Sequence, residues 1–73
     1  MARYTIFTEH GKPSVDFDHI SGCLRGLDLK VLDTKDNSVV VEYDGNLSQF
    51  RRLADSVLNP MRNETIRIYI AAD

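Results

Sequence analysis

Residues 46–60 read NLSQFRRLADSVLNP, and this stretch decides the fold. Leu47, Phe50, Leu53, Ala54, Val57 and Leu58 recur at helical steps, and Met61 continues the row. Such a row is the apolar stripe of a helix lying on a core. Gln49, Arg51, Arg52, Asp55 and Ser56 fall on the other side. Asn46 suits the N-cap, and Gln49 can reach back to it as in a capping box. Asn59-Pro60 ends the helix, because a residue before proline avoids the helical region. The stripe predicts that Phe50 and Leu53 are buried against Ile6 and Ile68.

Outward from that helix, the chain alternates between periods. Residues 3–9, RYTIFTE, form a strand pattern, with Tyr4 and Ile6 on one face and Arg3, Thr5 and Phe7 on the other. His10 to Ser14 is a loop punctuated by Gly11 and Pro13. Phe17, Ile20, Leu24 and Leu27 then recur at helical steps beside Cys23, predicting a helix over about residues 16–25 capped by Ser14, Asp16 or Asp18. Gly26 is expected at the left-handed position after that helix, with Leu27 making the apolar contact beyond it. Leu27, Leu29 and Val31 alternate with Asp28, Lys30 and Leu32. A polar turn over 34–37 leads to SVVVEY, residues 38–43, so the two strand patterns form a hairpin. Residues 64–72, ETIRIYIAA, alternate plainly, with Ile66, Ile68 and Ile70 on one side and Arg67 and Tyr69 on the other.

The order strand, helix, strand, strand, helix, strand resembles the ferredoxin-like sandwich. The expected fold is one small α+β domain over residues 1–73, a two-layer βαββαβ sandwich. Two helices cover one face of a four-stranded antiparallel sheet. Tyr4, Ile6, Leu29, Val31, Val39, Val41, Ile66, Ile68 and Ile70 should face the helices. The fold hosts many unrelated functions, so function must come from a site.

The composition narrows the classes. The 73 residues are 42% apolar and 27% charged, with eleven acids, nine bases and a net charge of −2. Both signs run along the whole chain, so bulk attraction to nucleic acid or an anionic membrane is not expected. No apolar run approaches a bilayer span or a leader segment. Cys23 is the sole cysteine, which fits a reducing, cytoplasmic setting and excludes an intramolecular disulfide.

Motifs for chemistry fail one by one. His10, Asp16, Asp18 and His19 match no metal-binding spacing, and adjacent helical residues diverge by about 100°. They are expected to be solvated loop and cap residues, with no metal and no cofactor. Gly11-Lys12-Pro13-Ser14 lacks the glycine spacing of a phosphate loop, and proline removes one amide donor. Cys23, with His10 or His19 as base, is a weaker reading than inert packing. Metal-carrying members of the resembled fold use a Cys-x-x-Cys pair, and acylphosphatase-like members an arginine in a glycine-rich first loop; neither is present. RNA-recognition motifs carry stacking aromatics on both central strands. Here Phe7 has no counterpart at Val40 or Glu42. The ACT type of small-ligand domain carries Asp-x-Pro-Gly before its first helix, which HGKPS does not match.

What remains is the sheet face away from the helices. Phe7, Tyr69, Val40 and Leu32 should form an apolar surface there, with Arg3 and Arg67 among its polar rim. The expectation is a non-enzymatic protein-binding module, an inhibitor or regulatory subunit in kind. Its partner is another protein chain, either a second copy or an unrelated target. The alternatives are single-stranded nucleic-acid binding on that face through Phe7 and Tyr69, with Arg3, Lys30 and Arg67 making it locally basic, or a dimeric small-ligand regulatory domain.

Overall fold

The computed structural model describes residues 2–73. Its elements are β1 (Ala2–Phe7), α1 (Phe17–Gly26), β2 (Lys30–Lys35), β3 (Ser38–Tyr43), α2 (Leu47–Leu58), a 3-10 turn (Asn59–Met61) and β4 (Tyr69–Ala72). The strands form one antiparallel sheet in the order β2-β3-β1-β4. The chain is therefore an α+β two-layer fold with the ferredoxin-like βαββαβ topology. Tyr4, Ile6, Leu29, Val39 and Val41 of the sheet side meet Phe17, Ile20 and Leu24 of α1 and Phe50, Ala54 and Leu58 of α2 in one buried cluster.

The capping box of α2 is present in both directions. Asn46 Oδ1 accepts from the Gln49 amide at 2.9 Å, and Gln49 Oε1 accepts from the Asn46 amide at 2.9 Å. The stripe is centred differently from expectation. Phe50 is fully buried, whereas Leu53 is only half-buried on the flank of the core. Asn59-Pro60 does end the α-helix, but the chain tightens into a 3-10 turn before leaving.

Three further expectations fail, each for a physical reason. First, the last strand covers only Tyr69–Ala72, not residues 64–72. A strand exists only where a neighbour pairs with it. Its partner β1 ends at Phe7, and the Glu9 carbonyl, next in line on the β4 side, accepts from the Lys12 amide at 3.2 Å in the turn that follows. That turn claims the backbone that Arg67 would have paired with. Ile66 lies off the sheet, half-buried and outside the core cluster.

Second, Gly26 is the last residue of α1, and the left-handed position belongs to Asp28, with φ +61°. The Asp28 amide donates to Arg25 O at 3.1 Å and the Leu29 amide to Leu24 O at 3.2 Å. These two bonds make a Schellman motif with Asp28 at C′. The apolar contact beyond the cap comes from buried Leu29 packing with Leu24, while Leu27 is 39% exposed. The expected sign of a substitution at Gly26 therefore reverses. A Cβ at Gly26 meets open space. Gly26→Ala should stabilise the domain by about 0.5–1 kcal/mol, the ordinary helix-interior difference. Thermal melts of Gly26→Ala beside Asp28→Gly check this: both should melt higher than the parent, the second by relieving a left-handed aspartate.

Third, β2 does not alternate throughout. It begins at Lys30 and carries a bulge between Val31 and Asp33. Val31 pairs with Val41 and Asp33 with Val40, so Leu32 is the extra residue. The bulge returns Thr34 to the helix side, where its Oγ1 lies 2.7 Å from Ser21 Oγ on α1.

Candidate protein-binding face

The face of the sheet away from the helices is built by the register. Lys30, Glu42 and Arg3 form one row across β2, β3 and β1. Asp33, Val40, Thr5 and Ala71 form the next, with the bulged Leu32 beside Asp33. Lys35, Ser38, Phe7 and Tyr69 form the last.

Phe7 and Tyr69 are direct cross-strand partners, and their rings lie 5.4 Å apart between centroids at an interplanar angle of 29°. Alternation on the first and last strands brings them together, since a strand sends every second side chain to the same face. Val40 lies one step diagonally from Phe7, opposite Thr5. Leu32, 38% exposed, lies beyond Val40 on the outer strand. The four apolar side chains thus run diagonally across the sheet.

The two arginines do not frame this diagonal evenly. Arg3 sits two rows from the aromatic pair, beside Glu42. Arg67 precedes β4 and stands off the sheet near Tyr69 and Glu9. The face is not basic as expected. The bases Arg3, Lys30, Lys35 and Arg67 are matched by the acids Glu42, Asp33, Glu9 and Asp73 on or beside it. The bulge is the reason Asp33 joins this face, and the sequence carried a signal for it. Strict alternation would have driven Asp33 into the core, which a charged side chain avoids.

Glu9 is the neighbour of the aromatic pair that alternation missed. Tyr69 Oη donates to Glu9 Oε1 at 2.9 Å. This bond holds the Tyr69 phenol above its ordinary value of 10.0, with partial burial and the Glu9 charge adding to it and Arg67 opposing it. The phenol therefore keeps its proton longer in the folded chain than in the unfolded one. Its contribution to stability is full below pH 10.0 and is lost as pH rises through the raised folded value. Phenolate absorbance during an alkaline titration should show the Tyr69 step, identified by its loss in Tyr69→Phe, moving down in Glu9→Gln. An unchanged titration in Glu9→Gln would mean that Glu9 does not hold the phenol's proton.

The other sequence candidates separate. Asp16 caps α1, its Oδ1 accepting from the Asp18 amide at 3.0 Å and the His19 amide at 3.3 Å. His19 Nε2 lies 3.8 Å from Cys23 Sγ, one turn along α1. Among the described residues, no three His, Cys, Asp or Glu side chains converge as a metal-holding group. Nor is any helix among them long and apolar enough to cross a membrane. The chain matches no protein-family model, no curated protein and no solved structure.

Proposed function

We propose that the chain is a non-enzymatic protein-binding module that contacts another protein through the outer sheet face, in the manner of a small inhibitor or regulatory subunit. The stacked Phe7–Tyr69 pair carries this reading. Aromatic side chains dominate binding energy at protein interfaces, particularly when ringed by polar groups. Val40 and Leu32 extend the apolar area, and charges of both signs surround it. Balanced charge favours a protein over a nucleic acid, whose binding draws on a net excess of cations. The single cysteine, Cys23, supports a reducing, cytoplasmic setting.

The paired substitution Phe7→Ser and Tyr69→Ser should leave the chain folded and weaken partner binding by about 2 kcal/mol or more. Quantitative capture from the native host, parent against double variant, is the test. Equal capture would move the contact surface to the exposed side of α2, around Arg51, Arg52 and Asp55. Binding to single-stranded oligonucleotides that falls steeply with salt would replace the protein partner with a nucleic acid.

A further inference from the structure

The two edges of the sheet are unlike. β2 is interrupted by the bulge at Leu32 and carries Lys30, Asp33 and Lys35. Bulges and edge charges, lysine above all, are how proteins keep a free edge from pairing. β4, the opposite edge, reads Tyr-Ile-Ala-Ala, with neither bulge, proline nor lysine. We propose that the β4 edge pairs antiparallel with β4 of a second copy, joining two sheets across a two-fold axis. The inference rests on the edge strand alone and does not depend on the outer face being a contact surface.

The hydrogen-bond phase fixes which groups are available. The Asp73 amide donates to Arg3 O at 2.9 Å, so Asp73, Ala71 and Tyr69 direct their backbone groups at β1. The amides and carbonyls of Ile70 and Ala72 point the other way, off the sheet; Ile68, just before the strand, would take up the same phase on pairing. In a symmetric antiparallel pair, a register centred on Ile70 places these groups opposite one another. Ile70 then exchanges both bonds with Ile70 of the second copy, and Ala72 meets Ile68.

Charge selects the same register. Centring on Ile70 sets Arg67 opposite Asp73 of the second copy, twice by symmetry, both on the outer face. Shifting the centre to Tyr69 puts Arg67 against alanine, and shifting it to Ala71 puts Asp73 against tyrosine. Only the Ile70 register joins opposite charges, and opposite charges facing across strands are favourable. The space beside the edge also suits a neighbour. An open groove of about 360 Å³ lies between α2 and β4, lined by Arg51, Asp55, Arg62, Ile68, Tyr69 and Ile70. Arg62 is already tied to Asp55 at 3.1 Å and to Asn59 Oδ1 at 2.7 Å. Arg51 has no ion pair among the described residues. Two-fold symmetry is the commonest closed arrangement for identical chains, and it requires such self-complementarity.

Sedimentation of the full chain over a concentration series tests the pairing. The parent should dimerise. Ala72→Pro deletes one edge donor per copy without touching the β1 ladder, so the dimer dissociation constant should rise about tenfold or more. Asp73→Arg should weaken the dimer by opposing Arg67, and Arg67→Asp with Asp73→Arg should restore it. Amide exchange on the parent gives a readout free of any variant: the Ile70 and Ala72 amides should gain protection as concentration rises. A parent that stays monomeric to roughly millimolar concentration overturns the edge pairing. So does a dimer indifferent to Ala72→Pro. A dimer abolished by Phe7→Ser with Tyr69→Ser but kept by Ala72→Pro would place the second copy on the outer face instead.

Discussion

Phe50→Ala should remove about 3–5 kcal/mol of stability, the usual loss for a buried phenylalanine truncated to alanine. A domain of 73 residues has roughly 4–11 kcal/mol in total, at about 0.05–0.15 kcal/mol per residue. At the lower end of that range the loss equals the whole stability, and much of the chain would unfold. The site explains the size of the effect. The Phe50 ring stacks on Tyr4 at 4.6 Å between centroids, nearly parallel at 10°, and tilts against Tyr43 at 5.8 Å. Tyr4 is itself pinned, its hydroxyl donating to Gly45 O at 2.6 Å. Neither tyrosine can swing in to fill the gap without breaking another contact. Leu53→Ala, on the flank, should cost less. Urea unfolding of both variants checks the order; a Phe50→Ala midpoint close to the parent would mean that the centre of the stripe lies elsewhere.

The second large effect is expected at Gly45. A Cβ there would lie 2.5 Å from Tyr43 Cε2 and 2.7 Å from Gln49 Oε1. The glycine is needed for space, since its φ is not positive. Gln49 Oε1 is the acceptor that holds the Asn46 amide in the capping box. Gly45→Ala must therefore displace the Tyr43 ring, break the cap, or both. We expect about 1–3 kcal/mol of destabilisation from overpacking, with up to about 1–2 kcal/mol more if the cap is lost. The combination with Gln49→Ala separates the causes. If the cap is the casualty, the double variant should lose less than the sum of the two single losses, because the clashing oxygen is already gone. A Gly45→Ala chain that melts with the parent would show that the Tyr43 ring moves freely.

What was legible in the sequence was local or followed from topology. The capping box needed only Asn46 and Gln49, two groups one turn apart. The meeting of Phe7 and Tyr69 needed the strand order and period-two alternation, both set by long patterns. The misses share a different character. Residues 64–68 alternate as well as any strand, yet their pairing depended on where β1 turned away, a fact held by Glu9 and Lys12 rather than by the segment itself. At the end of α1, glycine was favoured over aspartate for the left-handed position by intrinsic strain. The Leu24–Leu29 contact set the end two residues later and imposed that position on Asp28. The Leu32 bulge, and with it the charge of the candidate face, followed from keeping Asp33 out of the core.

The bulge on β2 also bears on how far any edge-to-edge growth can go. A unit with two reactive ends polymerises, whereas a unit with one reactive end stops when two have met. Val31 and Asp33 straddle an unpaired residue, which breaks the even ladder that an incoming strand would need. The chain is in that sense monofunctional. Whatever pairs at β4 leaves only bulged, lysine-bearing borders outward, so the bulge acts as a chain terminator against fibres. Deleting Leu32 would restore even alternation along β2 and give the molecule its second reactive end.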